Sequence, residues 1–191
     1  MNFLDLHRWD VTPLEAIEIQ NRLRRQLILD QAPAMIRMIA GVDVSNAFGS
    51  NRLFAAVVVL DLPTSAAEGI PDPGGRDRLV GGRLSICPRS SFLPMCLRVS
   101  PSIGCGKTRL IGFHREPGPL RGEWSPLIDR GETIGAVLRT RDRVSPVFIS
   151  PGHRMTLDRA IEIVLSSQLR YRLPEPTRMA HQLVNEARRA A

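Results

Sequence analysis

Met38-Ile39-Ala40-Gly41-Val42-Asp43-Val44-Ser45 is an apolar run with one carboxylate near its end. Its length and its Ile and Val content predict a buried strand. An ionised Asp buried in such a strand is costly unless it is paired or bound to a cation. Asp43 therefore requires a partner. A divalent metal, an Arg, or water at the strand end would each serve. A second apolar run, Leu53 to Leu62, is centred on Ala55-Ala56-Val57-Val58-Val59-Leu60. Between the two runs, Asn46 to Asn51 holds Gly, Ser and Asn, the composition of a hairpin turn.

Working outward, Thr12-Pro13-Leu14-Glu15 opens a helix. Thr12 is the cap, Pro13 takes the first helical position, and Glu15 completes a capping box. Ala16, Ile19, Leu23 and Leu27 then recur three or four apart and predict one apolar face. Downstream of the second strand, Pro63 to Arg78 is rich in Pro and Gly and reads as a loop, and Leu79 to Ile86 reads as a third strand. Cys87 to Ser102 has neither strand nor helix periodicity, an unusual length for a structureless piece of a compact domain. Leu110 to Pro126 is Gly- and Pro-rich and is expected to be a loop. Thr133 to Leu138 and Pro146 to Ser150 are expected strands. Thr156 caps a helix with Leu157, Ile161, Val164 and Leu165 inward. A last helix, Thr177 to Arg189, turns Ala180, Leu183, Val184 and Ala187 inward after a break at Pro174-Glu175-Pro176. The sum is a mixed α/β sheet covered by helices, in one domain spanning residues 1–191 and irregular over about 76–102.

The formal net charge is +7, carried by many Arg and very few Lys, a balance that favours polyanionic partners. Cys87, Cys96 and Cys105 are odd in number and not spaced as a zinc knuckle, so reduced thiols are expected. The N-terminus does not read as a signal peptide, and no apolar run approaches a membrane span, which implies a cytoplasmic protein.

Several residues are candidates for chemistry. His153, in Ser150-Pro151-Gly152-His153-Arg154, lies between a strand and a helix, where sites of α/β sheets collect. A lone His there equally serves to bond a helix end. Lys107 follows Gly104 and Gly106, and glycines let backbone amides approach a phosphate. Pro101 stands where a P-loop needs its first Gly, which excludes a nucleoside-triphosphate loop. Arg109, Arg139, Arg154, Arg172 and Arg178 are candidates for phosphate contact, and each also reads as an ordinary surface Arg.

The chain resembles the endonuclease V family. The resemblance rests on Ile39-Ala40-Gly41-Val42-Asp43-Val44-Ser45, on Pro101-Ser102-Ile103-Gly104-Cys105-Gly106-Lys107-Thr108-Arg109-Leu110-Ile111-Gly112, and on Pro146-Val147-Phe148-Ile149-Ser150-Pro151-Gly152-His153-Arg154. It ends with Tyr171-Arg172-Leu173-Pro174-Glu175-Pro176-Thr177-Arg178-Met179-Ala180-His181. It implies a ribonuclease-H-like mixed sheet flanked by helices. It further implies a monomeric DNA-repair endonuclease, dependent on Mg²⁺ with Mn²⁺ as a substitute. Such an enzyme cuts a phosphodiester bond 3′ to deoxyinosine in DNA, and in some members acts on RNA. By the resemblance Asp43 binds the metal, His153 stands in or near the metal centre, and Lys107 supports the scissile phosphate. The family's Pro-Tyr-x-Pro-Gly wedge, its following metal-binding Glu and its Asp-Gly-x-Gly strand end have no counterpart in this sequence. A central strand and helix are therefore expected to be missing, with Asp61, Asp77 or Glu132 as the available stand-in carboxylates. A homologue that binds nucleic acid without cutting it, or a degraded gene product, is the alternative expectation.

Overall fold

The computed structural model describes residues 8, 10–46, 53–62 and 101–190. The expected hairpin turn, the loop from Pro63, the third strand over Leu79 to Ile86, Asp77, and nearly all of Cys87 to Ser102 lie outside the described residues.

Helix α1, Pro13–Arg24, forms for the reason its sequence gives. Thr12 Oγ1 accepts from the Glu15 amide, and the Glu15 side chain accepts from the Thr12 amide, a complete capping box. The Thr12 bonds hold the Glu15 carboxyl below its usual range, with Arg8 adding to the effect. The face expected for this helix, Ala16, Ile19, Leu23 and Leu27, is half-buried; Leu14 and Ile17, outside that face, are more than half exposed, and no residue of α1 is fully buried.

Strands β1, Met38–Asn46, and β2, Leu53–Asp61, pair antiparallel with Asp43 opposite Ala56 and Gly41 opposite Val58. Side chains alternate across a strand. Ile39, Gly41, Asp43 and Ser45 thus share a face with their partners Leu60, Val58, Ala56 and Phe54. A second sheet is antiparallel throughout, in the order β3-β6-β5-β4. Its strands are β3, Ile103–Gly106; β4, Trp124–Asp129; β5, Glu132–Leu138; and β6, Val147–Pro151.

Strand β4 corrects the expectation of a loop reaching Pro126. Proline lacks an amide donor and is tolerated on an edge strand. Pro126 is exposed on just such a strand, at the end of the sheet. Arg130 and Gly131, with φ of 49° and 83°, close the β4–β5 hairpin as a two-residue turn.

Two helices complete the layers. Helix α2, Leu157–Ser166, is capped by Thr156 as expected and buries Ala160, Ile161, Ile163 and Val164 over β5 and β6. Helix α3, Glu175–Arg189, starts two residues earlier than expected. Pro176 does not break it. It sits in the first turn, where its missing amide costs nothing. Ala180 and Val184 are fully buried against Ala56 and Val58 of β2. Ile36 and Ile39 pack on the other apolar cluster, so the two cores meet at β1.

Candidate active site

Gly41 sets how closely α3 approaches β1. A Cβ there would lie 2.1 Å from the carbonyl carbon and oxygen of Pro176, closer than any side chain tolerates. Two residues on along β1, about 7 Å, comes Asp43. From Thr177 to His181 along the helix is about 6 Å. Strand and helix thus advance in step, and the second meeting point joins Asp43 to His181. His181 Nδ1 and Asp43 Oδ2 are 2.7 Å apart, between side chains 50% and 30% exposed. Asn185, one turn further along α3, reaches His181 Nε2 at 3.1 Å and its carbonyl oxygen at 2.8 Å. The partner that Asp43 requires is thus an imidazole, outside the three expected classes. Asp43 Oδ1 has no hydrogen-bond partner among the described residues.

His153 has its own set of partners. It is 4% exposed. Its Nδ1 accepts from the Ile28 amide at 3.4 Å, its own amide donates to Ser102 Oγ at 3.0 Å, and the next amide, of Arg154, donates to the Ile28 carbonyl at 2.6 Å. These bonds clip the segment after α1 onto the β6–α2 loop. Among the described residues no contact joins His153 to Asp43.

The cationic candidates divide. Lys107, Arg109 and Arg154 are exposed, and Arg154 takes a left-handed backbone with φ of 49°. Arg139 is 7% exposed and faces inward, donating to the carbonyls of Gly118, Pro117 and Val144 and to Glu116. Arg172 donates to the Lys107 and Pro146 carbonyls. Arg178 pairs with Glu175, bonds Gln182, and lies 4.7 Å over the Tyr171 ring. Burial pushes the Cys105 thiol up to about 11, partly offset by Arg172, which keeps it a protonated, unreactive thiol at neutral pH.

The donor chemistry does not by itself make a Mg²⁺ site. Mg²⁺ takes octahedral oxygen ligands. The described residues offer one carboxylate oxygen, because Oδ2 and the imidazole nitrogens are already engaged. Among the described residues no group of three or more His, Cys, Asp or Glu could hold a metal. Asp61 cannot join, since it pairs with Met38, five residues from Asp43 and on the opposite face. Glu132 belongs to the other sheet, opposite Asp129.

His181 was not singled out by the sequence. Its block was legible, but strand Asp and helix His lie 138 residues apart, and no local period pairs them.

A family profile described as Endonuclease V matches residues 90–182. A protein of Myxococcus xanthus named Endonuclease V is 38% identical, with 97% of this chain and 94% of that protein covered. The alignment runs over 220 positions against 191 residues here, so this chain lacks residues that the relative has. The crystal structure of a Streptomyces avermitilis endonuclease V superposes with a TM-score of 0.75 at 28% identity, covering 95% of each chain. A Ciona intestinalis endonuclease V, crystallised with a DNA containing an inosine, superposes at 0.65 with 19% identity, covering 94% of this chain and 99% of that one. The fold is therefore the ribonuclease-H-like α/β fold of these structures.

Proposed function

This chain belongs to the endonuclease V family, and from that membership we propose that it is an endonuclease acting on DNA that contains deoxyinosine. The bond cut is the second phosphodiester on the 3′ side of the hypoxanthine base. The reacting centre is the seam between β1 and α3. One observation carries this reading: the 2.7 Å pair of Asp43 and His181 at an open edge, with Asp43 Oδ1 unused among the described residues. A carboxylate held by one oxygen presents the other in a fixed direction, and such preorganisation is what phosphoryl chemistry uses. The centre is read as dependent on Mg²⁺, with Mn²⁺ as a substitute. That dependence requires more oxygen donors than the described residues bring to Asp43.

Lys107, Arg109 and Arg154 are the exposed cations suited to backbone phosphates. Each phosphate contact releases counterion. Arg109→Ala and Arg154→Ala are expected to lower the slope of log affinity against log salt by about one each on an inosine duplex, measured by fluorescence anisotropy. Unchanged slopes would take these two residues out of the interface. The chain is read as one cytoplasmic monomeric domain over residues 1–191. Among the described residues no helix is long and apolar enough to cross a membrane.

The test is cleavage of an end-labelled duplex with one deoxyinosine, in Mg²⁺ and after chelation. The intact chain is expected to nick it at the stated bond. Asp43→Asn is expected to slow nicking about a hundredfold or more, while keeping the fold and the binding. Equal cutting of an undamaged duplex, or an undiminished Asp43→Asn variant, would overturn the proposal. The single carboxylate gathered among the described residues favours a second reading, a protein that binds inosine DNA without cutting it. Salt-sensitive binding by the intact chain without any nick would establish that one instead.

A further inference from the structure

We propose that Asn185 is a positioning residue that, together with the Asp43 carboxylate, fixes the proton of His181 on Nδ1 and so keeps Asp43 tethered by one oxygen. The inference rests on the reading of Asp43 and His181 as the reacting centre. Its physical content is a chain of donors that permits one solution.

Asn185 and His181 are four apart on α3, so their side chains meet on one face. Asn185 Nδ2 lies 2.8 Å from the His181 carbonyl oxygen. A carbonyl only accepts, so the amide nitrogen, and not its oxygen, must stand there. The second hydrogen of the same nitrogen is then directed at His181 Nε2, 3.1 Å away. A ring nitrogen that receives an N–H must offer its lone pair. The proton of the neutral imidazole is therefore on Nδ1, where it is donated to Asp43 Oδ2 at 2.7 Å. The opposite tautomer would set N–H against N–H at Nε2 and a lone pair against a carboxylate oxygen at Nδ1. Asn185 touches neither Asp43 nor, on this reading, the DNA. It acts through His181, as outer partners of ligating or catalytic imidazoles do.

The experiment is ¹⁵N NMR of the histidine rings in the full chain at pH 8, with His181→Gln used to assign the signals. The intact protein is expected to show a protonated-type Nδ1 and an unprotonated-type Nε2 at His181. Asn185→Ala removes the donor at Nε2 and leaves the Asp43 carboxylate alone to hold the proton on Nδ1, so the Nε2 signal is expected to shift partway toward the protonated type. Asn185→Ser, which can still donate, is expected to restore the original pattern. Nicking of inosine duplex is expected to fall about tenfold in Asn185→Ala and to recover in Asn185→Ser. A proton found on Nε2 in the intact protein would overturn the tautomer assignment, and a ring pattern unmoved by Asn185→Ala would overturn the part given to Asn185. A moved proton with unchanged nicking would overturn the positioning role. Failure of the underlying reading is separate: His181→Ala would then nick as fast as the intact chain, while the ring pattern still responded to Asn185.

Discussion

Gly41→Ala is expected to lower the stability of the chain by about 3 kcal/mol and to abolish whatever the β1–α3 seam does. The added methyl would meet backbone atoms of Pro176 at 2.1 Å and the Thr177 nitrogen at 2.5 Å. Backbone at the start of a helix cannot swing aside as a side-chain tip can. Relief requires α3 to lift from β1. Lifting it draws Ala180 and Val184 off Ala56 and Val58, which exposes a small apolar core, and it separates Asp43 from His181. One substitution thus reads both packing and site. The melting temperature should fall by about 10 °C, and nicking should vanish even in the fraction that remains folded. Gly106→Ala is the control, because its nearest contact is an ordinary 3.4 Å, and it should leave the melt nearly unchanged. A Gly41→Ala protein that melts with the parent would show that helix and strand do not approach as described.

Arg139→Met is expected to cost about 3 to 5 kcal/mol. Its guanidinium is a hub for the chain entering β4 and leaving β5. It reaches Gly118 at 3.0 Å, Pro117 at 3.0 Å, Val144 at 2.6 Å and Glu116 at 2.8 Å. Met keeps most of the volume and none of the donors, so the loss isolates the hydrogen bonds from the packing. Three carbonyls and a carboxylate would be left without their cation, in a place where Arg139 itself is 7% exposed. Urea unfolding measures the effect, and DNA binding under folding conditions supplies the contrast. The inward geometry predicts a large loss of stability with the salt slope of binding intact. A variant that unfolds like the parent yet loses one unit of salt slope would put this guanidinium on a phosphate instead.

Both predictions concern residues whose role changes with the third dimension. Arg139 is one of five Arg that the sequence offers as phosphate contacts, and nothing local separates it from Arg109 or Arg154. Separation comes from which side of the sheet each residue leaves and which carbonyls wait there. His153 shows the same limit. A His between a strand and a helix suits a site or a structural clip equally, and its bonds to Ile28 and Ser102 are legible only in the fold. Pro126 illustrates the converse, since a proline reads locally as a strand breaker and becomes admissible once its strand is an edge.

The sequence by itself determined the elements whose signals are local. Continuous apolar runs rich in Ile and Val gave β1 and β2, Thr12 with Glu15 and Thr156 marked helix starts, and Ala180 with Val184 marked the inner face of the last helix. Blocks of residues in a fixed order identified the family. Tertiary structure alone decided what Asp43 meets, because a carboxylate's need for a partner is encoded at its own position while the partner's identity is not. That identity depends on Gly41 admitting a helix at backbone distance and on two rises, of strand and of helix, keeping step over about 7 Å.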